Sequence, residues 1–172
     1  TTQEAASHSG GIYGMGGDFL YRWGNPQNYD RGNSSNHILA DQHSINWIPG
    51  GYPGEGNLIL FNNFHTNNSS AVLEIITPIN DDGSYTIGDN QPFGPDTYTW
   101  IYTGGGFQSM AQGGAFRLPN GNTLITDADD SYIFEITSSG ATVWDYDYSS
   151  NMAMIARAER YTYDYFDSIS LS

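Results

Sequence analysis

The chain has 172 residues and a formal net charge of −14, and its cations are five arginines with no lysine. A length of this order predicts a single domain, and so few cations cannot build the basic face that nucleic acid or an anionic membrane requires. Disulfides and thiolate metal sites are excluded because the chain has no cysteine.

The composition favours an all-β protein with many tight turns. Aromatic residues make up 15 % of the chain and glycines number 21, while no long amphipathic helix can be recognised. The acidic, cysteine-free composition is compatible with an extracellular or periplasmic location. The opening 1-TTQEAASHSGG-11 has neither an initiator Met nor a signal peptide, so we expect a processed or partial chain.

The predicted elements, in chain order, are four-stranded antiparallel units and two fragments of such units. Residues 10–24 form a partial unit, in which 18-DFLYRWG-24 is predicted as a last strand. Complete units follow over residues 41–103 and 112–148. Residues 153–161 are predicted as the first strand of the next unit. Residues 1–172 are therefore predicted to form a single segment built from these repeated units.

The two complete units repeat the same pattern. Four pairs of segments correspond in order: 43-HSINWIP-49 with 113-GGAFRLP-119, 57-NLILFNN-63 with 122-NTLITDA-128, 71-AVLEIIT-77 with 131-SYIFEIT-137, and 98-YTWIY-102 with 142-TVWDY-146. Such repeats are typical of β-propeller blades, and the alternative is a β-sandwich with accidental similarity. A propeller ring typically needs roughly four to eight blades, and two whole blades do not close one. We therefore expect other copies of the chain, or a further part of the polypeptide, to complete the ring.

Several segments, taken together and in order, are similar to the arylsulfotransferase (aryl-sulfate sulfotransferase) family. They are 16-GGDFLYRWGNPQNYDRG-32, 42-QHSINWIP-49, 56-GNLILFNN-63, 112-QGGAFRLPNGNTLI-125, 133-IFEITSSGATVWDY-146 and 157-RAERYTYDY-165. The resemblance covers nearly the whole chain. It implies a secreted or periplasmic protein with a six-bladed propeller, of which this chain matches the C-terminal half.

The resemblance also implies a reaction. A sulfuryl group would pass from a phenolic sulfate ester to another phenol, through a histidine in the propeller channel and without a cofactor. Neutral imidazole is nucleophilic near neutral pH, and the charge that develops on the sulfuryl oxygens requires cationic or polar donors fixed around it. The expected partners are therefore an aryl sulfate and a phenolic acceptor.

His43 is the candidate catalytic residue. It lies in 42-QHSINWIP-49, at the start of a predicted innermost strand, where the resemblance implies a Gln-His pair facing the channel. The alternative is a histidine used only for packing or for the turn. A further histidine that the family places on an early blade has no match in this chain.

Three further residues are candidates for binding the substrate. His65 lies in 61-FNNFHTNNSS-70, where the resemblance implies a Gly-rich turn with an arginine, and its alternative is an exposed loop histidine. Arg117 and Arg157 lie on predicted first strands, from which a guanidinium could hold an anion through paired N–H donors. Their alternative is a salt bridge with one of the many carboxylates.

Two acidic clusters are possible calcium sites by residue type. Asp127, Asp129 and Asp130 form one, and 80-NDDG-83 forms the other. Neither has the alternating spacing with a distal Glu that a calcium loop needs, so turn chemistry is favoured and no metal is predicted.

The sequence therefore leaves two functions open. The first is an arylsulfotransferase-like enzyme, or a part or non-catalytic relative of one. The second is an extracellular structural module whose open blade edges pair with other copies to form oligomers or filaments.

Overall fold

A computed structural model describes residues 2–66, 68–148 and 154–165. The described part is all-β apart from one short helix, α1 (Thr2–Ala5), and three short 3-10 turns. Its strands form two four-stranded antiparallel sheets, which confirms the predicted fold class at that level. Over the same ranges, no helix combines the length and the apolar character needed to cross a bilayer.

Sheet A consists of four strands that are neighbours in chain order. They are β1 (Gln42–Trp47), β2 (Leu58–Thr66), β3 (Ser69–Ile75) and β4 (Trp100–Tyr102). The two central strands are buried over most of their length, whereas β1 alternates between exposed and half-buried residues. This pattern is that of a meander with a covered centre and an accessible first strand.

Sheet B repeats this arrangement of four strands that are neighbours in chain order. Its strands are β5 (Gly114–Arg117), β6 (Thr123–Asp127), β7 (Tyr132–Ile136) and β8 (Thr142–Asp147). All five residues of β6 are buried, and all six residues of β8 are exposed. Sheet B therefore has a covered centre and an open outer edge.

The strand registers of the two sheets match, as the sequence repeat predicts. Glu74 lies opposite Trp100 in sheet A, and Glu135 lies opposite Trp144 in sheet B. The turns between first and second strands match too: the Ile48 amide donates to the Asn57 carbonyl, and the Leu118 amide donates to the Asn122 carbonyl, both at 2.8 Å. A glycine with positive φ, Gly56 or Gly121, precedes each of these asparagines and gives the turn its shape.

One hydrophobic core joins the two sheets. Sheet A contributes Phe61, Val72 and Tyr102, and sheet B contributes Ile125 and Phe134, with Phe107 of the connecting segment between them. The aromatic rings meet at centroid distances of 5.6 to 6.1 Å in stacked, tilted and edge-on arrangements. Such pairs add about 0.5–1.5 kcal/mol each beyond the burial of their area.

A polar cluster repeats beside this core, and we call it the Glu–Asn–Arg cluster. In the first copy, Glu74 of β3 accepts hydrogen bonds from Asn57 at 2.6 Å and from Arg117 of β5. The Arg117 guanidinium also lies 5.0 Å from the centre of the Trp100 ring. The cluster therefore ties the third strand of sheet A to the first strand of sheet B.

The second copy of the cluster lies in sheet B. Glu135 of β7 accepts from Asn122 at 2.6 Å and from Arg160 at 2.7 Å. Arg160 thus has the place that Arg117 has in the first copy. Residues 153–161 are predicted as a first strand; residue 153 lies outside the described residues, and residues 154–161 form no regular strand. This segment runs beside sheet B, where the Gly113 amide donates to the Ala156 carbonyl and the Ala158 amide donates to Thr126 Oγ1.

The chain divides into two compact units, and both sheets belong essentially to one of them, Ala40–Glu74 with Trp100–Ser172. The other unit is Thr1–Leu39 with Ile75–Thr99. In its described part, Tyr21 stacks on Tyr85 at 4.7 Å and meets Phe93 edge-on at 5.5 Å. This unit therefore has an aromatic cluster of its own.

Residues 18–24, predicted as a last strand, are not in a strand. Their polar groups are satisfied in another way: Tyr21 Oη donates to the Gly94 carbonyl at 2.8 Å, and Trp23 Nε1 donates to the Pro95 carbonyl at 2.6 Å. Side-chain hydrogen bonds to a loop thus replace a backbone ladder. Trp23 does not share the strand position of Trp100 and Trp144.

Candidate functional site

A β-bulge lies beside His43 in β1. His43 pairs with Phe61 and Asn46 pairs with Ile59, so Ser44 and Ile45 together oppose a single residue of β2. Ser44 has a φ of 53°, an uncommon value for a residue other than glycine. Bulges re-aim side chains and are frequent next to active sites, so the backbone at this point marks His43 as a candidate functional residue.

The bulge is held in place by the neighbouring sheet. Ser44 Oγ donates to the Gly113 carbonyl at 2.8 Å, and Asn46 Nδ2 donates to the Ala115 carbonyl at 3.0 Å. Both carbonyls belong to the start of sheet B. The position of His43 therefore depends on how the two sheets pack together.

The His43 ring is half-buried and is oriented through one of its nitrogens. Nδ1 lies 2.8 Å from Oδ1 of Asn63 and 3.1 Å from the carbonyl oxygen of Asp41. Within the described residues, both of these hydrogen-bond contacts of the ring are made by Nδ1. The Nε2 side of the ring is thus the one through which His43 could act on a substrate.

Asn63 is fully buried and is held at several points. Its Nδ2 donates to the carbonyls of Ser109, at 2.9 Å, and Gln112, at 2.8 Å. Ser109 is itself buried, and its Oγ donates to Asp127 Oδ1 at 2.6 Å while accepting from the Ala128 amide at 2.7 Å. Hydrogen bonds therefore connect His43 to Asn63 and Asn63 to the Ser109 carbonyl, and the Ser109 hydroxyl connects the same residue to Asp127.

Asp127 has a raised pKa in the folded protein. Burial is the main cause; the Ser109 hydroxyl opposes it, and the charges of Asp130 and Asp129 add to it. Because the folded state then binds the proton more tightly than the unfolded chain, ionisation of this group costs stability. That cost is absent below the ordinary carboxyl pKa of 3.8 and develops as the pH rises above it.

The Asp127→Asn variant should therefore be more stable than the wild type at neutral pH, and the gain should shrink towards pH 4. The amide oxygen of Asn can still accept from Ser109, while no charge has to be buried. Urea unfolding at about pH 4 and about pH 7 measures both differences. A variant that shows the same gain or loss at both values would contradict a raised pKa for Asp127.

Arg157 lies close to the bulge. A β-carbon built on Gly114 would lie 3.1 Å from Arg157 Cγ and 3.2 Å from Ser44 Oγ, so only a glycine separates these two side chains. The Arg157 guanidinium is largely exposed and lies 3.2 Å from Glu159. Of the two predicted arginines, Arg157 is the one that the structure brings into the neighbourhood of His43.

Arg117 is placed differently. Its side chain is almost fully buried and forms the ion pair with Glu74 in the Glu–Asn–Arg cluster. A guanidinium committed in this way is not free to hold an anion. The structure thus favours the salt bridge that was the alternative to substrate binding for this residue.

His65 lies near the end of β2, two residues beyond Asn63. Side chains two apart on a strand share a face, so His65 is on the face of sheet A that carries Asn63. It is half-buried rather than an open loop residue. His43, Asn63 and His65 are therefore gathered at one end of sheet A.

No group of three His, Asp or Glu side chains within the described ranges could hold a metal ion. In the second acidic cluster, Asp82 Oδ1 accepts from both the amide and the hydroxyl of Ser84, at 2.9 and 2.6 Å. In the first cluster, Asp129 accepts from the Met110 amide at 2.7 Å. Asp82 is therefore used in a local turn, whereas Asp129 links the segment before β5 to the turn after β6.

A cleft of about 910 Å³ lies elsewhere in the same unit. Its lining includes Tyr52, Leu118, Arg160, Tyr161 and Tyr165 but not His43. The Tyr161 and Tyr165 rings, both part of this lining, contact each other with their centres 4.2 Å apart. His43, with its bulge and its oriented ring, remains the stronger candidate for chemistry.

Asn63, Ser109 and Ser44 are the site residues that sequence reasoning missed. The Asn62-Asn63 pair, in a run otherwise apolar, was a usable signal, because a buried amide in a central strand needs specific partners. Ser109 and Ser44 gave no such signal, since serines are common in loops.

In comparisons with known proteins, no family model, no curated protein and no solved structure matches this chain.

Proposed function

We propose that the protein transfers a sulfuryl group from an aryl sulfate to a phenolic acceptor, with His43 as the nucleophile. The observation that carries the proposal is the His43 ring, which Asn63 holds at Nδ1 next to a β-bulge that the Arg157 side chain approaches at Gly114. The sequence resemblance to the arylsulfotransferases, which first pointed to His43, also supports the proposal. No cofactor is required.

The proposed reaction has two steps that balance. In the first, a ring nitrogen of His43 attacks sulfur, the bond from sulfur to the aryl oxygen breaks, and the phenolate leaves and takes a proton from water. In the second, the oxygen of another phenol attacks sulfur, the sulfur–nitrogen bond breaks, and the acceptor proton passes to solvent. Arg157 and His65 would stabilise negative charge on the sulfuryl oxygens.

The fold proposal accompanies the functional one. We propose that sheets A and B are successive blades of a β-propeller, with residues 10–24 and 153–161 belonging to the flanking blades. The repeated strand registers and the repeated Glu–Asn–Arg cluster support this. An extracellular or periplasmic location fits the resemblance.

The test is to incubate the purified protein with 4-nitrophenyl sulfate. We expect release of 4-nitrophenolate that depends on phenol as acceptor. When phenol is omitted, a proteolytic fragment containing His43 should gain the mass of one sulfuryl group, because a covalent intermediate accumulates without an acceptor. If the wild type shows no nitrophenolate release and no added mass on the fragment, the proposal is contradicted.

A second candidate function, self-assembly, is favoured by the outer edge of sheet B. Its edge strand β8 is exposed throughout, with Val143, Trp144 and Tyr146 each about half exposed. An apolar edge strand with open backbone groups is a template for pairing with another copy. Light scattering that finds oligomers, together with no sulfuryl transfer, would favour this function; a stable monomer would exclude it.

A further inference from the structure

We propose that Asn63 is a positioning residue that fixes His43 in the tautomer with the proton on Nδ1, so that Nε2 carries the free electron pair. The inference rests on the proposed function for its catalytic meaning, but the tautomer itself follows from geometry alone. It assigns the attacking atom, Nε2, and names the residue that selects it.

The first step concerns which way the Asn63 amide faces. Its Nδ2 has two protons, and each is used by a backbone carbonyl, that of Ser109 at 2.9 Å and that of Gln112 at 2.8 Å. Carbonyl oxygens only accept hydrogen bonds. The reverse orientation would place Oδ1 against two acceptors in a buried site, so it is excluded by repulsion and by the loss of both bonds.

The second step concerns the ring. With the amide so oriented, Oδ1 of Asn63 faces Nδ1 of His43 at 2.8 Å. The other contact of Nδ1 is also an acceptor, the Asp41 carbonyl at 3.1 Å. A nitrogen between two acceptors has to be the protonated one. In the neutral ring only one nitrogen has a proton, so Nε2 is left with its electron pair.

The third step concerns why this matters for transfer. Only the unprotonated nitrogen of a neutral imidazole can attack sulfur, and a ring in the other tautomer would present N–H to the substrate instead. When Nε2 bonds to sulfur, positive charge appears on the ring, and the Nδ1 proton remains hydrogen-bonded to Asn63. Asn63 thus stabilises the charged ring without taking its proton, as the partner of a catalytic histidine does in other enzymes.

The experiment is nitrogen NMR on protein labelled with ¹⁵N in its four histidines, in alkaline buffer where the rings are neutral. The His43 signals are assigned by their loss in the His43→Gln variant. We expect a protonated, pyrrole-type signal for Nδ1 and an unprotonated, pyridine-type signal for Nε2. A protonated Nε2 in the wild type would overturn the proposal, whatever the activity.

Two variants test whether Asn63 is the cause. In Asn63→Ala, the population with protonated Nε2 should become detectable, and kcat should fall about 10–100-fold. In Asn63→Asp, the Nδ1 proton should persist because a carboxylate also only accepts, even though the bonds to Ser109 and Gln112 are lost. An unchanged tautomer in Asn63→Ala, checked for native folding by its amide spectrum, would overturn the role of Asn63.

The outcomes separate the inference from the proposed function. A wild type with the Nδ1 proton but no sulfuryl transfer would leave the tautomer assignment intact and remove the transferase. Sulfuryl transfer by a wild type with a protonated Nε2 would support the transferase and overturn the tautomer assignment. If Asn63→Ala does not fold, the tautomer of His43 in the wild type still decides the assignment of the proton to Nδ1.

Discussion

Replacing His43 with alanine should reduce the rate of sulfuryl transfer by about three orders of magnitude or more. The His43 side chain would carry the sulfuryl group between donor and acceptor. Loss of a covalent nucleophile typically reduces the rate by this much or more. The ring also contributes little to the core, since it is only half-buried. The rate of 4-nitrophenolate release, measured with phenol as acceptor, gives the comparison with wild type.

His8→Ala is the control for this variant. The His8 ring is exposed and lies 2.8 Å from Asp18, in the unit that contains neither sheet. We expect its transfer rate to stay within twofold of wild type, roughly the effect of a neutral surface substitution. The transfer rate of His65→Ala should lie between those of His43→Ala and His8→Ala, because this variant loses a binding group but keeps the nucleophile. Equal rates in His43→Ala and wild type would remove His43 from the mechanism.

Replacing Arg117 with methionine should lower the free energy of unfolding by about 3–5 kcal/mol, the usual cost of removing one partner from a buried ion pair. The side chains of Arg117 and Glu74 are only 5 % and 9 % exposed, so the substitution leaves a buried carboxylate with Asn57 as its remaining partner. Urea unfolding followed by tryptophan fluorescence measures the change, and Trp100, which packs on Arg117, reports on this site.

Arg160→Met is the comparison variant, because Arg160 forms the equivalent pair with Glu135, whose side chain at 7 % exposed is as buried as that of Glu74, but Arg160 itself is 61 % exposed. Its loss should cost only about 1 kcal/mol, since water can replace an exposed guanidinium. The double variant Arg117→Met with Glu74→Met should recover most of the lost stability, because no charge then remains buried. Equal losses for the two single variants would mean that burial does not determine the strength of these pairs.

The sequence predicted the two sheets well, because turn residues and strand-length apolar runs are local signals. The repeated Gly-Asn turns and the Glu-Ile and Trp-x-Tyr strands led directly to the matching registers of Glu74 with Trp100 and Glu135 with Trp144. Residues 18–24 were predicted as a strand on the same signals. There the competing side-chain bonds of Tyr21 and Trp23 to a loop about 70 residues away prevailed, and no local pattern could reveal them.

The candidate site was predictable only in part. His43 was identified from its place in the resemblance and at a strand start, whereas its bulge and its partner Asn63 arise from packing between distant segments. Arg117 and Arg157 looked alike in sequence, since both lie in first-strand segments. What separates them is burial: one pairs with Glu74 in the core and the other stays exposed near Ser44, a difference of tertiary structure alone.

The Glu–Asn–Arg cluster has a consequence for how the chain folds as it is made. Glu74 and Arg117 are 43 residues apart, and the arginine is always the later one to be synthesised. Sheet A can therefore pair its own strands early, but its third strand keeps an unneutralised carboxylate until β5 has left the ribosome. The same holds for Glu135, which waits for Arg160, 25 residues later. Each sheet is thus finished by the chain that follows it, and synthesis from the N-terminus and stabilisation proceed in the same direction, one sheet at a time.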